Sequence, residues 1–390
     1  MSSKEPAMTL AFVNGRVLTN NGFQTGFAVL VENDTIVGLA LPSDPRVRAA
    51  ERHDLGGRTL LPGFIDCQVN GGGGVLFNDA PTVETIRAIG EAHAKFGTTG
   101  FLPTLISDDA EVMSRAIDAV NDAVAQGVPG VLGVHLEGPF IAPERKGVHD
   151  PAKFRIAGAD DIAMVARRHG GVTLLTLAPE RVTDEVLKQL VDNGVIVCAG
   201  HTAANYEITR NALAMGVRGF THLFNAMTPF TSREPGVVGA ALEDQASWCG
   251  LIVDGHHVHP ASLRVAIAAK ARERMMLVTD AMPPVGSDNP DFVLKGETIT
   301  AKDGICQTAD GTLAGSALDM ATAVRNTVHM VGVPYDEAAR MAATYPAAFL
   351  GLGTTHGHIA AGYRADFVVM DDAQFVTETW IGGKRVFAAC

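Results

Sequence analysis

Hydrophobic positions near both ends of the chain come in short β-branched runs, whereas between them apolar blocks of strand length alternate with stretches of helical spacing. Residues 9–18 and 27–39 are the N-terminal runs, broken by Asn14-Gly15, Asn21-Gly22 and Asn33-Asp34, pairs that suit turns needing positive φ. Similar runs return at 365–370 and 379–387. Two β segments flanking a long α/β middle predict one small sandwich built from both termini; two unrelated hairpins packed on the middle are the competing arrangement. In the middle, apolar strands are expected at 60–66, 100–105, 131–136, 173–177, 195–199, 219–223, 249–253 and 275–279. That number is what a (β/α)8 barrel requires. Helical spacing lies between them: Val112, Met113, Ala116, Ile117, Val120 and Val124 recur three and four apart behind Ser107 as N-cap. Ile208, Ala212 and Met215 do likewise, with Gly216 as a stop. Residues 316–331 and 335–350 read as two closing helices. Residues 291–315, with Asp303-Gly304 and Asp310-Gly311 turns, read as a β-hairpin insertion after the eighth strand. The expected fold is thus a TIM-like (β/α)8 barrel over 60–350, with a small β-sandwich domain formed by 1–59 and 351–390.

Composition narrows the class. A chain of 390 residues with 47% hydrophobic content and 42 glycines suits a well-buried α/β protein with many tight strand-to-helix turns. The net charge of -12 argues against a nucleic-acid or anionic-membrane partner, which needs basic patches. A small anionic ligand is still allowed, because a few local Arg and His side chains suffice to hold one. The five cysteines, Cys67, Cys198, Cys249, Cys306 and Cys390, form no CxxC pair and no disulfide framework, so a reducing, cytoplasmic location is expected. The opening Met1-Ser-Ser-Lys-Glu-Pro6 lacks the pattern of a signal peptide, and no apolar run has membrane-spanning length.

The candidate chemistry sits at the predicted strand ends. The run 131–136 leads into Glu137, with Gly138-Pro139 stopping the strand immediately afterwards. The same design recurs at His201, His222 and Asp280. Alone, a strand-end histidine is more often a hydrogen-bonded turn residue, and a Glu before Gly-Pro simply caps the next helix. Four such residues at exits of parallel barrel strands share the C-terminal rim where such barrels carry their sites. Two imidazoles and a carboxylate suit Zn²⁺ or Fe²⁺ with a position left open for water. Asp280 need not be a ligand: beside an activated water it could take the proton and pass it to a leaving amine.

These motifs carry a resemblance. The stretches Leu61-Pro-Gly-Phe-Ile-Asp66, His135-Leu-Glu-Gly-Pro139, Gly200-His201-Thr202, Thr221-His-Leu-Phe-Asn-Ala-Met227, Asp254-Gly255, Val278-Thr-Asp280 and Gly315-Ser316-Ala317 are similar to those of the N-acetylglucosamine-6-phosphate deacetylase family of the amidohydrolase superfamily. The likeness runs nearly end to end. It implies hydrolysis of N-acetyl-D-glucosamine 6-phosphate to D-glucosamine 6-phosphate and acetate, with N-acetylgalactosamine 6-phosphate or another N-acyl amino sugar as the alternative substrate. A non-catalytic binding protein of the same fold is the remote alternative, against which the presence of Glu137, His201, His222 and Asp280 together weighs. The resemblance implies Glu137, His201 and His222 as metal ligands and Asp280 as general base. It implies His149 at the scissile amide, polarising its carbonyl. Asn225, the backbone of Ala226, Arg233 and His257 would hold the sugar phosphate, and Leu313 would line the acetyl pocket. In the family the counterpart of Arg233 reaches across a dimer interface, so a homodimer is implied. Of the three histidines in Gly255-His-His-Val-His259 the family pattern selects His257, leaving His256 and His259 either on the surface or supporting groups at the site from behind; His135 reads as a satisfied core histidine. One departure matters. Where many amidohydrolases carry His-x-His after the first barrel strand, this chain has Gln68-Val-Asn70. Neutral amides are poor ligands beside imidazole, so one divalent metal ion per subunit is expected, with Gln68 at most touching a water or a ligand.

Overall fold

The computed structural model describes residues 9–167 and 170–389; the Met1-to-Pro6 stretch and Cys390, both weighed above, lie outside the described residues. Eight parallel strands form one sheet in chain order: β1 (Phe64–Val69), β2 (Thr98–Ile106), β3 (Gly133–Glu137), β4 (Val172–Leu177), β5 (Ile196–Ala199), β6 (Gly219–Phe220), β7 (Trp248–Leu251) and β8 (Met275–Leu277). They are covered by helices on the outside and filled by side chains within, so they read as continuous apolar runs; every residue of β2 is buried. The sheet curls until its last strand meets its first. Beyond β8, Ala281 bridges to Val69, the Asp280 amide donates to Gln68 O at 3.0 Å and the Asn70 amide to Ala281 O at 2.9 Å. This nearly closed barrel, with a sheet-rich domain from the termini, is the expected fold class.

The first strand departs from the expectation. The apolar run 60–66 belongs to two sheets: Thr59–Pro62 pairs with the terminal strands Arg16–Thr19 and Phe367–Met370, and the barrel begins only at Phe64. Gly63 is the crossing point, where a Cβ would lie 2.1 Å from Thr99 Oγ1. Burial on both sides of the crossing hides it from the hydrophobic pattern.

The helical expectations hold with local corrections. The helix Ala110–Ala125 is capped at Asp109, not Ser107, whose side chain turns inward. Tyr206–Ala214 ends before Gly216, which takes φ +105°. The first closing helix is shorter than expected: Ser316 ends a strand, Asp319 caps Met320–Asn326, and a widened turn follows over Thr327–Val331. The second is split into Tyr335–Ala342 and Thr344–Phe349, because Pro346 has no N–H and its ring cannot follow an unbroken turn. Residues 291–315, read as a hairpin, fall within a four-stranded antiparallel meander of Asp291–Leu294, Glu297–Lys302, Ile305–Gln307 and Leu313–Ser316.

Both chain ends build the remaining layers. Thr9–Val13, Ala28–Glu32, Thr35–Ala40 and Glu51–Asp54 form one sheet. Arg16–Thr19, Gly22–Gln24 and Thr59–Pro62 join Phe367–Met370, Val376–Ile381 and Lys384–Ala388 in the other. Phe12 links the two, its ring edge-on at 5.0 Å from Phe367 and 4.9 Å from Trp380. A shared aromatic core favours one sandwich over separate hairpins. Replacing Phe12 with Ala should cost about 3–5 kcal/mol, read as a lowered denaturation midpoint; an unchanged midpoint would show that this triad does not hold the sheets together.

Candidate metal centre and its cavity

Glu137 is the last residue of β3, and His201 and His222 follow β5 and β6 by two residues each. Both histidines, and Asp280 after β8, take left-handed backbone, with φ of 47°, 33° and 54°. Glu137 Oε1 lies 3.2 Å from His201 Nε2 and 3.0 Å from His222 Nε2, and the two nitrogens are 3.1 Å apart. All three side chains are buried.

This set suits a cation. The carbonyl of Arg145 lies 2.8 Å from His201 Nδ1 and can only accept, so neutral His201 carries its proton there and turns the Nε2 lone pair to the centre. Burial by itself would raise the Glu137 carboxyl, but its contacts with His201 and His222 outweigh that and hold it well below the usual range. A carboxylate and two imidazole nitrogens packed this closely have more lone pairs than protons to share, the arrangement a divalent ion relieves. Glu137, His201 and His222 thus form a possible metal site, with donors fitting Zn²⁺ or Fe²⁺.

Asp280 faces this centre. Its Oδ1 accepts from Gln68 Nε2 at 3.1 Å and Asn70 Nδ2 at 2.6 Å, and Gln68 Nε2 also reaches Glu137 Oε1 at 3.2 Å. Gln68 therefore touches a ligand-type carboxylate through its amide N–H, as a donor. Burial, then the charge of Glu137, push Asp280 up to about 6 against the opposing pull of His222, His257 and Asn70. Gly315 passes so near that a Cβ there would lie 2.8 Å from Asp280 O.

Glu137, His201, His222 and Asp280 line one cavity of about 330 Å³, a small-molecule volume. His149, Asn225, Ala226, His257 and Leu313 line it too. His257 is steadied by Asp254 Oδ2 at 2.6 Å from its Nδ1, and Asn225 folds back on His222 O at 3.1 Å. Leu76, Ile106, Val148 and Met282 add an apolar wall. Arg233 is the exception: in this single chain it stands exposed and outside the cavity. His256 and His259 are exposed, the latter capping a helix through Ala261 N, and buried His135 is held by Thr176 and Thr104 hydroxyls.

Several contributors escaped the sequence. Arg145 acts through its carbonyl, and a backbone oxygen leaves no residue-type signature. Gln68 touches Glu137, a contact of the kind expected for it, whereas the Asn70 contact with Asp280 was not anticipated, although standing two residues from Gln68 puts it on the same strand face. Ser107, which the helical pattern places as a cap, hydrogen-bonds His149 instead.

The fold and this strand-end set define a class. The amidohydrolase family model matches residues 59–386, and the chain belongs to the amidohydrolase family. Among its relatives, the N-acetylgalactosamine-6-phosphate deacetylase of Shewanella sp. (strain ANA-3) is 44% identical, covering 96% of this chain and 95% of that one. The human N-acetylglucosamine-6-phosphate deacetylase is 39% identical over 87% of this chain and 86% of its own. The crystal structure of N-acetylglucosamine-6-phosphate deacetylase from Pasteurella multocida is 35% identical, with a TM-score of 0.94, covering 98% of this chain and all of that one.

Adding Zn²⁺ to metal-stripped chain should raise its thermal midpoint, by roughly 2.7 kcal/mol of stability at a hundredfold excess over Kd, and His222→Ala should abolish the rise. An equal rise in that variant would place the ion elsewhere.

Proposed function

We propose that the chain hydrolyses N-acetyl-D-glucosamine 6-phosphate to D-glucosamine 6-phosphate and acetate. The observation that carries this reading is the triangle of Glu137 Oε1, His201 Nε2 and His222 Nε2, no side longer than 3.2 Å, facing Asp280 across a cavity of an amidohydrolase-family chain. One divalent ion per subunit, Zn²⁺ or Fe²⁺, held by Glu137, His201 and His222, would supply Lewis acidity toward the amide carbonyl and the attacking water.

The protein's own groups do the rest. His149, buried at the cavity wall, polarises the carbonyl of the acetamido group by hydrogen bonding. Asp280 takes a proton from the water as its oxygen bonds to the carbonyl carbon, then returns it to the sugar nitrogen as the C–N bond breaks. The Gln68 and Asn70 amides donate to one Asp280 oxygen and leave the other for this traffic. Asn225, the Ala226 backbone and His257 hold the phosphate, and Leu313 meets the acetyl methyl. Arg233 completes the phosphate site in the partner subunit of a homodimer; its exposure outside its own cavity, beside Phe230 at 65% exposure, supports that role. We take the terminal segments, up to residue 62 and from 351 on, and the barrel from 64 to 350 as the two domains, the expected boundary at 59/60 moving to Gly63 because Thr59–Pro62 pairs with the terminal strands. No helix among the described residues is long and apolar enough to cross a membrane, and the four described cysteines are buried free thiols, which supports a cytoplasmic setting.

The 44% identity to an N-acetylgalactosamine-6-phosphate deacetylase favours a second reading, the same chemistry on the epimer. Acetate release measured side by side on both 6-phosphates and on the unphosphorylated sugars, with Zn²⁺ or Fe²⁺ added, tests both. Faster turnover of the galacto substrate would replace the first reading, and no release from any of them would overturn both. On the better substrate, Asp280→Asn should lower kcat by about 10²–10⁴ while metal content stays as in the parent; parental turnover would remove Asp280 from the mechanism. The proton acceptor must be ionised, and a nearby cation favours ionisation. The acid limb of kcat/KM is therefore expected at or below pH 6, the value toward which burial raises Asp280, with a plateau above it. A limb centred clearly above that value would assign the limiting ionisation to another group.

A further inference from the structure

We propose that Ser107 is a positioning residue that holds His149 in the tautomer carrying its proton on Nε2. Ser107 directly follows β2 and is buried, as is His149. Two donors converge on His149 Nδ1: the Ser107 amide at 3.3 Å and the Ser107 hydroxyl at 2.8 Å. The amide decides the proton's place, because a backbone N–H can only donate, and Nδ1 must then present its lone pair. A neutral imidazole has one N–H, which is left on Nε2. The hydroxyl also lies 3.4 Å from Glu137 O, but its single proton goes to the shorter contact.

The neighbouring chain makes room for this arrangement. A Cβ on residue 138 would lie 2.3 Å from Ser107 Oγ, so Gly138 in the turn after Glu137 admits the hydroxyl. Ser107 makes no cap contact with the following helix, whose N-cap is Asp109. Its polar atoms serve the loop that carries His149. The consequence rests on the reading of His149 as the group that polarises the substrate carbonyl. A carbonyl oxygen needs a donor, and an imidazole with its proton on Nδ1 would offer it a lone pair. Ser107 thus sets the polarity of the ring without touching substrate.

The test has two arms. In full-length, Zn²⁺-loaded protein labelled with ¹⁵N-histidine, long-range proton–nitrogen correlation should show His149 protonated at Nε2 and bare at Nδ1. The signals are assigned by their loss in His149→Gln. A proton on Nδ1 would overturn the proposal, and this arm needs no substrate, so it stands or falls independently of the deacetylase reading. In the kinetic arm, Ser107→Ala keeps the amide but loses the stronger donor. It should lower kcat about 10-fold with KM and metal content nearly unchanged, and Ser107→Thr should restore most of the rate. Equal losses in Ala and Thr variants, or a change confined to KM, would reduce Ser107 to packing and overturn the proposal.

Discussion

The constraint on which the molecule depends is a buried carboxylate that must not be left alone. Glu137 sits at the centre of the barrel mouth, and a charge taken out of water there is costly unless partners surround it. Its partners come from strands far along the chain, so the barrel must curl to bring them within reach. It must also bend the backbone sharply at each exit. His201, His222 and Asp280 all adopt left-handed φ, each at a cost on the order of 1–2 kcal/mol for a residue with a side chain. The surrounding backbone secures these bends: the Ala142 amide donates to His201 O and the Ser316 amide to Asp280 O, both at 2.9 Å. Local strain at this rim is held by hydrogen bonds from the segments that also bring Arg145, His149 and Leu313 to the site.

The site and the closure of the barrel are one construction. The contacts that join the last strand to the first run through Gln68, Val69, Asn70, Asp280 and Ala281. Gln68 and Asn70 use their backbones for closure and their side-chain amides for Asp280. Both side chains are neutral donors. They stabilise two carboxylates, Glu137 and Asp280, without competing for a cation.

Much of this was legible in the chain. Seven of the eight strands fell where apolar runs placed them, because a strand buried on both faces leaves little room for polar residues. The first was blurred because Thr59–Pro62 and Phe64–Val69 are both buried, in different sheets, with only Gly63 between. The four strand-end groups were visible because chemistry-bearing side chains interrupted apolar blocks at regular places. His149 and His257 sit in loops with no such frame, and only motif resemblance singled them out. The Arg145 carbonyl and the Ser107 amide could not be read at all, since every residue carries those atoms. A serine ahead of a helical pattern has the composition of a cap, and only the fold reveals that the Ser107 hydroxyl turns to His149 instead.

The six-stranded sheet has a bearing on how the chain comes to exist. Thr59–Pro62 is flanked on one side by Arg16–Thr19 and on the other by Phe367–Met370. During synthesis the early strands emerge with a paired edge and an open one, and the open edge waits until nearly the whole barrel has been translated. An exposed strand edge invites wrong partners. The terminal layer is therefore a clasp that cannot close before residues 367–370 have been made, and until then that edge of Thr59–Pro62 lacks its native partner.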